Sequence, residues 1–198
     1  MDSPAVKELL QDICTDKRGV NPETLKQVIL LAVEIAREGR EGRKIGTMFT
    51  VGDSENVLEN SRCLILDPLY NHPDDLKQIG NANMQETIKE LAQLDGAFVV
   101  SEDGVVRSAC RYINASAHGV DLPLGLGSRH MAAASVTKDT NTIAVVVSET
   151  SVVRVFDNGE IIAEILPELW LLDRHGFHVT GSYITHQSGD VTVARKED

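Results

Sequence analysis

Residues 142–147 read Thr-Ile-Ala-Val-Val-Val, a continuous apolar and mostly β-branched run. Such a run predicts a strand covered on both faces. A strand of that kind needs a layer above and a layer below, so the rest of the chain has to provide helices. One long helix is predicted from Asn21-Pro22, a cap followed by proline at the first helical position, to about Arg40. Its apolar residues Leu25, Val28, Ile29, Ala32, Ile35 and Ala36 recur at the helical period. A shorter helix is expected after Asn83, with Met84, Ile88 and Leu91 on one face. Ser3-Pro4 repeats the start signal for an N-terminal helix carrying Val6, Leu9, Leu10 and Ile13, broken by residues 17–22.

Further strands fit between these helices. Residues 45–51 and 97–100 are apolar enough for a core, and Asp103-Gly104 signals a hairpin into a strand ending near Tyr112. Asn158-Gly159 marks a second hairpin joining residues 151–156 to 161–165. Residues 53–81 mix a short apolar run with Pro68 and His72-Pro73, and read as a loop-rich crossover. The expected architecture is one α/β domain, a mixed β-sheet flanked by helices, spanning residues 21–198. Residues 1–20 form an N-terminal helical extension, with a packing or assembly role expected.

The stretch Gly125-Leu126-Gly127-Ser128-Arg129-His130-Met131-Ala132 is a glycine-rich loop entering a helix, with Ser128 as the expected N-cap. A helix start carries unpaired N–H groups and a partial positive charge, and Arg129 and His130 add to it. A phosphate site and a plain capped helix both fit this pattern. The basic cluster Arg37, Arg40, Arg43 and Lys44 reads as a solvated helix end. His175, His178 and His186 read as surface residues, with a metal site as the less favoured alternative.

Composition narrows the partners. The 198 residues carry a net charge of −11, which disfavours general nucleic-acid binding but leaves room for one positive nucleotide pocket. No apolar run is long enough to span a bilayer, so no membrane association is expected. Met1-Asp2-Ser3-Pro4 has neither a basic nor an apolar leader region. Cys14, Cys63 and Cys110 lie far apart without metal-site spacing, and a cytoplasmic location is expected.

Three pieces occur in order: Asp95-Gly96-Ala97, Gly127-Ser128-Arg129-His130, and Ser148-Glu149-Thr150 after the long apolar strand. With residues 37–46 upstream and Leu122-Pro123-Leu124-Gly125 before the second piece, they closely resemble the diadenylate cyclase (DAC) domain family from about residue 27 to about 166. The resemblance implies condensation of two ATP molecules into cyclic di-AMP with release of two pyrophosphates. It implies a homo-oligomer with active sites face to face, and Mg²⁺ or Mn²⁺ as cofactor. The family usually has Thr where Ser128 stands and a second Arg where Met131 stands. The second change removes a positive charge expected near the polyphosphate, and Lys138 and Arg154 are the candidates to replace it.

On this resemblance the catalytic residues are Asp95, Gly96, Ala97, Arg129 and His130. Asp95 is the expected acid at the ribose hydroxyl; by itself it reads as a turn cap before Gly96. Gly96, Ile113, Gly127, Ser128, Arg129, His130, Met131, Ala132 and Ser148 are the expected ATP-binding residues, with adenine against backbone near Ile113. His130 and Glu149 are the candidate metal ligands. Two alternatives remain: a catalytically weak nucleotide sensor with the same pocket, and a monomeric nucleotidyltransferase with a different acceptor.

Overall fold

A computed structural model describes residues 10–15, 19–40, 42–116, 119–167, 179–188 and 191–197. The expected start of the N-terminal helix at Ser3-Pro4, and His175 and His178, lie outside the described residues. Nine strands among them form one sheet in the order β2-β4-β3-β1-β5-β6-β7-β9-β8. The strands are β1 (Thr47–Val51), β2 (Ser61–Cys63), β3 (Ala97–Val100), β4 (Val106–Ile113) and β5 (Ile143–Val147). They continue with β6 (Val153–Asp157), β7 (Glu160–Leu166), β8 (Tyr183–Ser188) and β9 (Val191–Lys196). Only β1 and β3 pair in parallel, which makes the sheet mixed.

That parallel pair requires a long crossover, and residues 53–81 are its first part. They are more ordered than their composition suggests: helix α2 (Ser54–Glu59) and β2 lie within them. Helix α3 (Ala82–Leu91) completes the return. Its cap is Asn81 rather than Asn83, because the Asn81 side chain accepts from the Asn83 amide at 2.9 Å.

Helix α1 (Pro22–Glu38) starts as its sequence requires. Asn21 Oδ1 accepts from the amides of Glu23 (2.9 Å) and Thr24 (3.3 Å), and Pro22 occupies the first turn. Its stripe from Leu25 to Ala36 is buried against one face of β1, β5 and β6. Helix α4 (Ser128–Asp139) covers the opposite face through Ala133, Ala134 and Val136. The β5 run is therefore buried on both sides, as its composition demands. Phe49 of β1 and Phe98 of β3 are register partners and stack at 5.1 Å. Truncating either to Ala costs about 3–5 kcal/mol by the usual measure for buried aromatics.

The C-terminal hairpin β8–β9 extends the sheet through β7. Sequence reading treats this region as a tail of scattered histidines. The polar, largely exposed β8 hides the strand pattern, and His186 sits exposed on it.

Candidate active site

Two chain segments converge at one end of the sheet, the turn entering β3 and the start of α4. Asp95 and Gly96 form the turn. Gly96 has φ +109°, and a Cβ there would stand 2.6 Å from the backbone carbon of Cys110 on β4. Cys110 itself has φ +55°, at the irregular register between β3 and β4. Gly96 is thus required by the approach of two strands, a reason the sequence does not disclose.

At the second segment, Gly127 occupies the cap position and Ser128 is the first helical residue. The expected Ser128 cap is therefore corrected: one residue earlier, a glycine stands where a capping hydroxyl was expected. The helix start has no side-chain cap, and open space surrounds Gly127. That is the environment in which first-turn amides meet an anion.

Arg129 links the two segments. Its Nη2 donates to Asp95 Oδ1 at 3.2 Å and its Nη1 to Glu149 Oε1 at 3.4 Å. The guanidinium lies against Gly46, where a Cβ would meet Nη1 at 2.7 Å. Asp95 Oδ1 also accepts the Gly96 amide at 3.0 Å. Both carboxylates are largely exposed, at 79% for Asp95 and 70% for Glu149, so they are open to a ligand.

Beside this cluster lies a cleft of about 200 Å³. Of the residues singled out in the sequence, Asp95, Gly96, Ala97, Ile113, Ser128, Arg129, Met131 and Ala132 line it. Met48, Leu64, Arg111 and Tyr112 join them and were not foreseen. The Arg111 guanidinium donates to Ser61 Oγ (3.1 Å), Cys63 Sγ (2.9 Å) and the Leu58 carbonyl (2.9 Å), which fixes it as a wall. Arg62 lies 4.7 Å from the centre of the Tyr112 ring, a cation–π contact. Expecting adenine near Ile113 was the one signal pointing to this end of β4. Its outer neighbours come from β2, where the sequence pattern predicts a loop-rich crossover.

Several expected residues stand elsewhere. His130 does not line the cleft; it is buried, with Nε2 3.1 Å from Arg154 Nη1. Burial first, and then the neighbouring Arg154 cation, lower its pKa to about 4, so the ring is neutral near pH 7. Arg154 donates to Glu164 Oε1 at 2.5 Å in a buried pair on β6 and β7. Lys138 is held by the Gly119 carbonyl near the far end of α4. Neither of the two cations expected to offset Met131 therefore lines the cleft. Ser148 follows β5 and shares a hydrogen bond with Thr150 Oγ1 while accepting the Thr150 amide at 3.0 Å. Ser148 and Gly127 also lie outside the cleft lining.

Of the two expected metal ligands, Glu149 is exposed, while the Nε2 of His130 is engaged by Arg154. Among the described residues no group of three His, Cys, Asp or Glu side chains converges on one point. Exposed carboxylates at Asp95 and Glu149 suit a hard divalent ion that takes most of its oxygen ligands from substrate phosphates and water.

Comparison with known proteins places the chain in a family. The family described as DisA bacterial checkpoint controller nucleotide-binding, DAC, matches residues 34–161. A diadenylate cyclase of Methanocaldococcus jannaschii is 47% identical over 150 residues, covering 75% of this chain and 47% of that protein. A diadenylate cyclase of Haloferax volcanii is 39% identical over 162 residues, covering 81% and 59% respectively. The chain thus spans roughly half the length of these relatives. The crystal structure of a hypothetical membrane spanning protein from Bacillus cereus shares the fold. Its TM-score is 0.52 at 21% identity, covering 70% of this chain and 62% of that one. No helix among the described residues is long and apolar enough to cross a membrane. With the family match spanning well over half of its length, the chain belongs to the DAC nucleotide-binding domain family.

Proposed function

We propose that this chain is a diadenylate cyclase that condenses two ATP molecules into cyclic di-AMP and two pyrophosphates. The observation that carries the reading is the Asp95–Arg129 pair, a carboxylate and a guanidinium 3.2 Å apart on the rim of a cleft whose inner wall is apolar. A phosphoryl transfer of this type needs a hydroxyl to lose its proton while a phosphate gains positive partners. Asp95 takes the proton of the ribose 3′-OH. The 3′-oxygen forms its bond to the α-phosphorus of the other nucleotide, and the bond from that phosphorus to the bridging oxygen of pyrophosphate breaks. Arg129 exchanges its carboxylate partners for phosphate oxygens, for which its planar fork gives two parallel donors.

The base occupies the end of the cleft formed by Met48, Leu64, Tyr112 and Ile113. Ser128 and the uncapped first turn of α4 face the phosphates. Glu149 is the residue of this chain that would hold Mg²⁺ or Mn²⁺, which when bound would neutralise the phosphates and the leaving group. His130 does not contact the metal in this scheme; it is buried behind the helix start with its Nε2 against Arg154. Each chain supplies one nucleotide site, so two chains meet with their sites face to face.

A binding-only sensor has no need of an exposed carboxylate held beside a phosphate-binding arginine, and for that reason the sensor reading ranks second. Incubation of the protein with ATP and Mg²⁺ or Mn²⁺, followed by mass spectrometry, tests the proposal. Cyclic di-AMP and pyrophosphate in a one-to-two ratio are expected. Intact ATP, or a linear adenylated product alone, contradicts it.

A further inference from the structure

A second, polar cleft of about 210 Å³ opens on the other side of Arg129. Among the described residues, Arg40, Arg43, Lys44 and Arg129 line it, together with Gly46 and one carboxylate, Glu149. Four cations thus meet in one hollow of a chain whose net charge is −11, with Arg40 paired outward to Glu90 and Glu86 and Arg129 to Asp95. The sequence suggests a solvated helix end for these residues, but a solvated end leaves its cations spread into water. Here the backbone gathers them.

The gathering has a local cause. Helix α1 ends at Gly39, with φ +61°, and a Cβ there would collide with the Arg43 carbonyl at 2.3 Å. The Arg40 amide donates to the Arg43 carbonyl at 2.9 Å and the Arg43 amide to the Arg40 carbonyl at 2.8 Å. This tight closure sets Arg40, Arg43 and Lys44 on one short loop beside Gly46. Arg40 is anchored on α3 by Glu90, and Lys44 reaches the Ala36 carbonyl at 3.4 Å. Arg43 is exposed at the cleft. Arg129 is the common wall, because it lines both hollows while bridging Asp95 and Glu149.

We propose that this basic cleft is a diphosphate subsite, with Arg43 binding the pyrophosphate unit that Arg129 delivers from the adjoining nucleotide cleft and Arg40 forming the fixed wall. The inference rests on the proposed cyclase reading for its ligand, and on the cleft alone for its chemistry. A compact, highly charged anion is what a small hollow of clustered guanidinium groups recognises, since each planar fork donates two hydrogen bonds to neighbouring oxygens. Two sources supply the same chemistry: the β,γ end of bound ATP and the free pyrophosphate product.

The test uses the full chain and inorganic pyrophosphate with Mg²⁺ as the probe, by calorimetric titration and by inhibition of turnover. Arg43→Ala is the main variant because Arg43 is exposed and its removal leaves the core intact. Arg43→Glu reverses the charge, and Arg43→Lys restores part of it. Pyrophosphate affinity is expected to fall at least tenfold in Arg43→Ala and further in Arg43→Glu, with partial recovery in Arg43→Lys. AMP, which lacks the diphosphate, is expected to bind all four proteins equally.

If the subsite holds the β,γ end of ATP, the KM for ATP rises in parallel; if it serves the departing product, KM holds and only pyrophosphate inhibition weakens. Unchanged pyrophosphate affinity in folded Arg43→Ala and Arg43→Glu proteins overturns the subsite, whatever the activity. A protein that binds pyrophosphate through Arg43 yet makes no cyclic di-AMP keeps the subsite and overturns the cyclase reading instead.

Discussion

Asp95 and Arg129 are 34 residues apart in sequence and joined by a 3.2 Å ion pair at the mouth of the cleft. The pair is exposed, so its coupling in the ligand-free protein is small, about 0.2–1 kcal/mol. In the proposed reaction its value is positional: it parks the guanidinium where the phosphate would arrive. Arg129→Ala is therefore expected to leave folding stability within about 1 kcal/mol of the parent while weakening ATP binding about tenfold or more. Arg129→Lys retains the charge but loses the two-pronged geometry, and only a partial recovery is expected. Thermal melts alongside ATP titrations check this, and a variant that binds ATP normally removes Arg129 from the site.

Gly96 gives a contrasting expectation. Its φ of +109° and the 2.6 Å approach to the Cys110 backbone leave no room for a methyl group. Gly96→Ala is expected to destabilise the fold by about 2–4 kcal/mol, through strain and displacement of β3 from β4. Denaturant unfolding measures it. A loss under about 0.5 kcal/mol would show that the strand pair yields easily.

His130 confers a pH dependence on folding. Its pKa is near 6.5 in the unfolded chain and lowered to about 4 in the fold, by burial and the Arg154 cation. As pH falls from 6.5 to 4 the unfolded chain takes up a proton that the folded protein refuses, so stability declines over that window. The contribution is fully present above pH 6.5, and its loss amounts to about 1.4 kcal/mol per pH unit at most. His130→Gln, which cannot titrate but keeps an acceptor for Arg154, is expected to flatten this part of the stability profile. An unaltered slope assigns the titration to other groups.

Assembly yields a kinetic expectation. One Asp95 turn and one Arg129 helix start per chain supply one nucleotide site, whereas a cyclic dinucleotide requires two attacks. Specific activity is expected to rise with protein concentration and to level off as a dimer or larger assembly saturates. Chelation of divalent metal is expected to abolish turnover. Initial rates over a dilution series, paired with sedimentation in ATP and metal, test both. Constant specific activity in a proven monomer contradicts the face-to-face arrangement.

Much of this fold is legible in the sequence where periodicity meets punctuation. The α1 stripe from Leu25 to Ala36, the β5 run and the Asn158-Gly159 hairpin are each specified locally, and each stands as expected. The β8–β9 hairpin is not legible, because β8 faces water with a polar sequence and acquires its strand character from pairing with β9. The site divides in the same way. Asp95 and Arg129 announce themselves through short motifs beside glycine. Met48 near the start of β1, Leu64 just past β2 and Tyr112 near the end of β4 enter the cleft only because the sheet brings them together, a relationship created by topology. Likewise, nothing near His130 in sequence reveals that Arg154, 24 residues on, takes its outer nitrogen.

In the proposed reaction Asp95 accepts the proton of the attacking 3′-hydroxyl. Asp95→Asn preserves the size of the side chain and an oxygen for the Gly96 amide while removing the carboxylate's basicity. The decisive measurement is the initial rate of cyclic di-AMP formation in this variant, at saturating ATP and metal, with ATP affinity measured on the same protein. ATP affinity is expected to stay within about threefold of the parent, with a rate lower by about two orders of magnitude or more. A rate near that of the parent, in a variant that binds ATP normally, would contradict proton transfer to Asp95.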